Sequence, residues 1–151
     1  MYIGSSGCAP SNREDLPGAL EQLKRLLRQR AEAGARGFSA VGIARDWDTQ
    51  DGLAHLRKFG AFDEVMAGRN WMNAGVRRYV WEEIPGEAAT PQVLLVERVV
   101  GDVSASGIQY GVHGERLVAR KVGADEILKW TEQGAPLPAL GWVQSAAAAA
   151  P

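Results

Sequence analysis

The stretch from Met1 to Ala44 limits the fold more than any other part of the chain. Met1-Tyr2-Ile3 reads as a short β-run. Leu16, Leu20, Leu23 and Leu27 then recur at spacings of four, three and four, which sets them on one face of a helix. Arg and Lys fill the opposite face, and Gly34 is a natural stop. Pro17 suits a helix that begins beside it and would kink one that begins at Ser11. Phe38 to Ala44 reads as a second strand, with Val41 and Ile43 on a shared face. Strand, helix, strand implies two parallel strands joined by a right-handed crossover. Parallel strands need cover on both faces, so the expected class is α/β.

The later elements extend this frame. Asp46-Trp47-Asp48-Thr49 offers N-cap residues, and Leu53, Leu56 and Phe59 suggest a short helix closed by Gly60. Phe62 to Met66 suits a small strand. Trp71 to Trp81 suits a second helical piece, with Trp71, Gly75 and Tyr79 spaced by four. Pro85-Gly86 marks a turn. The apolar run Val93-Leu94-Leu95-Val96 fits a central strand covered on both sides. Ser104 to Gly107 reads as a hairpin tip. Glu115 to Val122 reads as an alternating strand after a Gly114 turn, and Asp125 to Glu132 as a helix with Ile127, Leu128 and Trp130 inward. The expected order is β-α-β-α-β-β-α, with a mixed central sheet between helical layers. The expected domain is 1–134. Residues 135–151, with Pro136, Pro138, Trp142 and five alanines, form a partly disordered tail.

Composition removes several function classes. A net charge of -1 gives no basic field for nucleic acid and no polybasic membrane patch. No apolar run approaches the ~20 residues of a membrane span. No basic, apolar leader is visible, so a cytoplasmic protein is expected. Asp46, Asp48, Gln50 and Asp51 imitate a calcium loop, but Asp51 stands at the glycine position and Arg57 at the glutamate position. His55 and His113 lack ligand spacing to each other or to Cys8, so no metal is expected. The five tryptophans are taken chiefly as core, with one or two beside Cys8. Arg77-Arg78 is taken as a solvated face.

The chemistry concentrates in Cys8-Ala9-Pro10-Ser11. Cys8 is the only cysteine of the 151 residues, so no internal disulfide can form. It lies between the first strand and the leucine-rich helix, where free N–H groups and the helix dipole favour a thiolate. The blander reading is a buried structural thiol. Ser11 follows about one helical turn later, placed to hydrogen-bond the sulfur, to cap the helix, or both. A serine cannot attack a mixed disulfide, so release would need an external thiol.

This chain resembles the thioredoxin superfamily over roughly Met1 to Gln133. Cys8-Ala9-Pro10-Ser11 is similar to the family's C-x-x-C motif with serine in the second cysteine's place, and Thr90-Pro91 stands before a buried strand, where the family has a cis-proline. The long segment from Asp46 to Thr90 leans toward the branch of TlpA-like and peroxiredoxin-like proteins. The extra N-terminal strand and helix of thioredoxin are missing, as is the Gly-Gly-Asp signature of glutathione-binding glutaredoxins; Val122-Gly123-Ala124-Asp125 is a partial echo.

The resemblance implies a three-layer α/β/α sandwich and thiol-disulfide exchange. Cys8 would be the nucleophile and Ser11 its tuner. Ala9, Pro10, Thr90 and Pro91 would hold the partner, with Thr90 offering backbone groups to an extended peptide. Read without the family, Pro91 is a trans proline opening a strand. The implied partners are protein thiols or disulfides, with glutathione as an external thiol and no bound cofactor. The alternative is a non-enzymatic module that uses the same cleft to hold a peptide.

Overall fold

The leucine periodicity produces helix α1 (Leu16–Ala33), with Leu16, Leu20, Leu23 and Leu27 all buried. Pro17 sits in its first turn, where a missing N–H costs no hydrogen bond. Gly34 caps its end, and Ala35 takes the left-handed conformation at φ 52°. The computed structural model describes residues 1–100 and 112–138 of the chain. The hairpin tip expected at Ser104–Gly107, the Trp142 tail, the alanine run and the His113 side chain lie outside the described residues.

On either side of α1 run strands β1 (Tyr2–Gly4) and β2 (Val41–Ala44). They pair in parallel, Tyr2 with Gly42 and Gly4 with Ala44, as the strand-helix-strand pattern requires. Helix α2 (Thr49–Arg57) and strand β3 (Glu64–Ala67) follow, and β3 pairs in parallel with β2. A 3-10 turn at Asn70–Met72 leads into helix α3 (Ala74–Val76), which widens into a π-helical stretch at Arg77–Glu82. Strands β4 (Gln92–Val100) and β5 (Val112–Val122) are antiparallel to each other, and helix α4 (Ala124–Glu132) follows. The sheet order is β3-β2-β1-β4-β5, with β4 antiparallel to β1. The sheet is therefore mixed.

Side chains alternate across it. Tyr2, Ala44 and Val93 join the core formed with α1, α2 and α4, whereas Ile3, Ile43 and Leu94 join the one formed with Val76, Tyr79 and Val80. Helical elements thus cover both faces, and the four-residue apolar run in β4 is explained by its central place. On the second face Glu115 accepts a hydrogen bond from the Tyr79 hydroxyl at 3.1 Å and pairs with Arg98, which ties the π-helical stretch to β4 and β5. No helix among the described residues is long and apolar enough to cross a membrane.

Several expectations need correction. The element order is β-α-β-α-β-α-β-β-α; the small strand read at Phe62–Met66 forms as β3 and the second helical piece forms as α3 with its π-helical extension, two elements that the shorter expected order leaves out. The Trp71–Trp81 segment is not one helix: Asn73 caps a new turn by accepting from the Gly75 N–H and separates the 3-10 turn at Asn70–Met72 from α3 and its π-helical continuation. Gly114 is no turn: it lies within β5, opposite Val99. Trp130 is buried, but Trp47 is 75% exposed and Trp81 50% exposed, so those two are not core. The boundary set at Gly134 falls too early. Ala135 is buried, the Trp130 indole donates to the Pro136 carbonyl at 3.0 Å, and Leu137 packs on the first core.

Burying a leucine fully contributes about 1.5–3 kcal/mol, and truncating it leaves a cavity as well. Leu23→Ala is therefore expected to lower unfolding free energy by about 2–5 kcal/mol in urea titration. Exposed Arg25→Ala on the same helix should stay within about 0.5 kcal/mol of the parent.

Candidate functional site

Strand polarity assembles the site. Because β4 runs against β1, its first residue, Gln92, pairs with Ile3 near the end of β1. The residues just before β4 therefore meet those just after β1. Because β2 runs with β1, Arg45 and Asp46 emerge at the same edge, and the Arg45 N–H donates to the Gly4 carbonyl at 2.7 Å. Three segments converge there: Ser5–Ser11, Arg45–Asp46 and Thr90–Pro91.

Cys8 is half-buried in this convergence, and its Sγ donates to the Thr90 carbonyl at 3.1 Å. The Thr90–Pro91 bond is cis. Gln92 is fully buried, and its amide donates to the Ala89 carbonyl at 2.7 Å and the Glu87 carbonyl at 3.2 Å, which fixes the approach to Thr90. Cys8, Ser11, Thr90 and Pro91 are thus brought together. Ala9 and Pro10 are exposed and line an adjoining open groove of about 600 Å³ with Arg13 and residues 122–126, spanned by an ion pair between Arg13 and Asp125.

The helix-dipole expectation for Cys8 is corrected. Cys8 precedes a single 3-10 turn, Ala9–Asn12, and α1 begins only at Leu16. Ser11 lies inside that turn and caps no helix; Asp15 occupies the N-cap position of α1. The physical reason is Pro10: it starts the tight turn, and Arg13, at ψ 139°, breaks the backbone before α1.

Other forces act on the thiol. Its burial pushes the pKa up. The nearby Ser11 and Thr90 hydroxyls, the Ser11 backbone N–H and the Arg45 charge outweigh that, so the Cys8 pKa lies below the ordinary thiol value. Arg45 is held in place by Trp71, whose ring centre lies 4.5 Å from its guanidinium, and by Asn70, to which it donates at 2.7 Å. Trp71 thus acts on the site through Arg45.

Two residues brace the loop. Asn12 donates its amide to the Ser6 carbonyl at 2.7 Å and the Cys8 carbonyl at 2.8 Å. Asp46, itself buried, accepts from the Ser6 N–H at 3.0 Å and from the Ser6 hydroxyl. The sequence offers Asp46 as an N-cap residue, but Asp48 alone caps α2, accepting from the Gln50 and Asp51 N–H groups. A buried carboxylate needs donors, and the loop before Cys8 supplies them.

Beneath the thiol lies a polar cluster that sequence patterning missed. Tyr2 is 2% exposed, and its Oη lies 3.2 Å from His55 Nε2. His55 is 1% exposed and packs edge-on against Phe59. Ser11 is fully buried, and its Oγ has no hydrogen-bond partner among the described residues. His55 follows β2 through a capped helix; its position on the inward face of α2, beside Leu56, was the available signal.

Burial lowers the His55 pKa from 6.5 to about 4, against a smaller opposing effect of Asp46. Between those values the unfolded chain binds the proton and the folded chain does not, so stability falls as pH drops through that window. From pH 7 to pH 5 this loss is expected to be about 2 kcal/mol by denaturant titration. His55→Gln should remove that part of the slope.

No family model, curated protein or solved structure matches this chain, so its function rests on the chemistry of the Cys8 site itself.

Proposed function

We propose that this protein is a thioredoxin-like monothiol oxidoreductase with Cys8 as its nucleophile. The observation that carries the reading is the half-buried Cys8 thiol donating to the Thr90 carbonyl at 3.1 Å where the Ser5–Ser11, Arg45–Asp46 and Thr90–Pro91 segments converge. A mixed sheet with the sulfur-bearing loop after a central strand supports the thioredoxin-like assignment.

The step is a thiol-disulfide exchange. The Cys8 thiolate attacks one sulfur of a disulfide. A Cys8–sulfur bond forms, the disulfide bond breaks, and the second sulfur leaves as a thiolate. Ser11 cannot repeat this attack on the adduct. An external thiolate such as glutathione's then attacks the mixed disulfide and returns Cys8 as a thiolate. The reducing cytoplasm holds such thiols, which fits the proposed location. Thr90 and the Ala9–Pro10 side of the groove would hold the partner chain.

A second reading is favoured by one fact: the chain's single cysteine has no resolving partner. The same cleft would then bind a peptide without exchanging electrons. Cys8→Ala separates the two, since it should abolish exchange but leave peptide binding intact.

Incubation with oxidised glutathione at pH 6 to 9 is expected to give one glutathionyl adduct on Cys8 by mass spectrometry, reversed by added thiol. No adduct across that range would sink the oxidoreductase reading. Ser11→Ala should move the midpoint of Cys8 alkylation toward the free-thiol value of about 8.5.

A further inference from the structure

We propose that Arg120 and Gln92 clamp residues 84–90 onto the sheet and so fix the Thr90 backbone for a partner peptide at Cys8. Both are positioning residues, because they act through the segment they hold. The proposal rests on the reading that Thr90 and the adjoining groove hold a partner chain beside Cys8.

Geometry supplies the clamp. Gln92 and Leu94 lie two apart on β4, so they face the same side of the sheet. Arg120 stands directly opposite Leu94 on β5 and shares that side. Residues 84–90 link the π-helical stretch to the start of β4. Arg120 Nη2 donates to the Tyr79 carbonyl at 2.9 Å and to the Ile84 carbonyl at 2.6 Å. The end of a helical stretch leaves such carbonyls free and favours a cation. The Gly86 N–H returns to the Val80 carbonyl at 3.0 Å. Gln92 holds the second half: its Nε2 donates to the Glu87 carbonyl at 3.2 Å and to the Ala89 carbonyl at 2.7 Å, which uses both amide hydrogens. The next residue is Thr90, whose own carbonyl accepts from Cys8 Sγ at 3.1 Å.

What the two side chains forgo shows their role. Arg120 Nε and Nη1 are buried without a partner, and so is Gln92 Oε1. Aliphatic side chains would fill this space at less cost. Among the described residues, every side-chain hydrogen bond that Arg120 and Gln92 make goes to a carbonyl of the 79–89 stretch. Gly86 completes the fit. A Cβ there would stand 1.4 Å from Arg120 Nη1, so the segment lies against the guanidinium only because residue 86 is bare.

The test compares two alkylating reagents on the full chain: iodoacetamide and an iodoacetyl-capped alanine pentapeptide. Main-chain pairing tolerates any sequence, so alanine suffices. Both reagents meet the same sulfur, so the ratio of their rates cancels changes in thiolate fraction and in folded fraction. The parent is expected to give a higher peptide-to-iodoacetamide ratio than free cysteine gives. Arg120→Met and Gln92→Met keep the bulk and remove the donors. Each is expected to lower that ratio by about 3- to 10-fold, the weight of one ordinary hydrogen bond. Arg120→Lys keeps a donor for the carbonyls and should fall between. Gly86→Ala should evict the guanidinium and reproduce Arg120→Met, with no further loss when the two are combined. A ratio unchanged in both Arg120→Met and Gln92→Met overturns the clamp. A parent ratio no higher than that of free cysteine overturns it together with the partner-holding role of Thr90. Alkylation needs no disulfide, so a missing glutathionyl adduct beside a ratio that falls in the variants supports the clamp and counts against exchange alone.

Discussion

The antiparallel pairing of β4 with β1 is the constraint on which the site depends. β1 is only three residues long, and its parallel partner β2 opens the same way. The reversal at β4 brings the start of that strand to the end of β1. Were β4 reversed, Thr90 would sit at the far end of a nine-residue strand, about 30 Å away at ~3.4 Å per residue. The Arg45 and Asp46 contributions follow from the same logic, since parallel strands share one exit edge. The thiol, the carbonyl it faces and the arginine that biases it come from three distant parts of the sequence, and sheet direction alone unites them.

A second feature is the mix of polar groups under that edge. Tyr2, Ser11, His55 and Gln92 are all buried within or beside an otherwise apolar sheet. Each buried polar atom left without a partner costs about 1–3 kcal/mol, and three stand here: Ser11 Oγ, His55 Nδ1 and Gln92 Oε1. A fold built for stability alone would replace them with aliphatic side chains. Local departures of this sort are expected where chemistry is placed. The second face pairs its apolar residues Ile3, Ile43, Val76 and Leu94 with a polar group of its own, Tyr79, Arg98, Glu115 and Arg120.

Periodic signals were readable where one face of an element meets the core. The four leucines of α1 and the Val41/Ile43 pair matched their burial, and in the four-residue run of β4 Val93 and Leu94 are buried while Leu95 and Val96 are half-buried. Short pieces were not readable. Asn73, a polar cap in mid-segment, broke a run that spacing alone made continuous, and Gly114 adopted a strand because its neighbours pair with β4. At the site, local motifs exposed Cys8, Ser11 and Thr90-Pro91, while the buried polar partners stayed hidden. His55 reads as an inward helical position and Tyr2 as an aromatic strand residue. Nothing local says that strand pairing and α2 stack them beneath one thiol. Arg45 escaped for the same reason, since its influence comes through Trp71 and Asn70 from a later turn.

Tyr2 folding back over the bare backbone of Gly4 means that positions 2 and 4 divide a single volume between them. Any side chain at 4 demands a smaller one at 2, and that exchange would strand the imidazole of His55 against Phe59 with neither nitrogen answered. The three positions are thus free to drift only in concert. A change at one of them without the others trades a filled, bonded interior for either a collision or a hole.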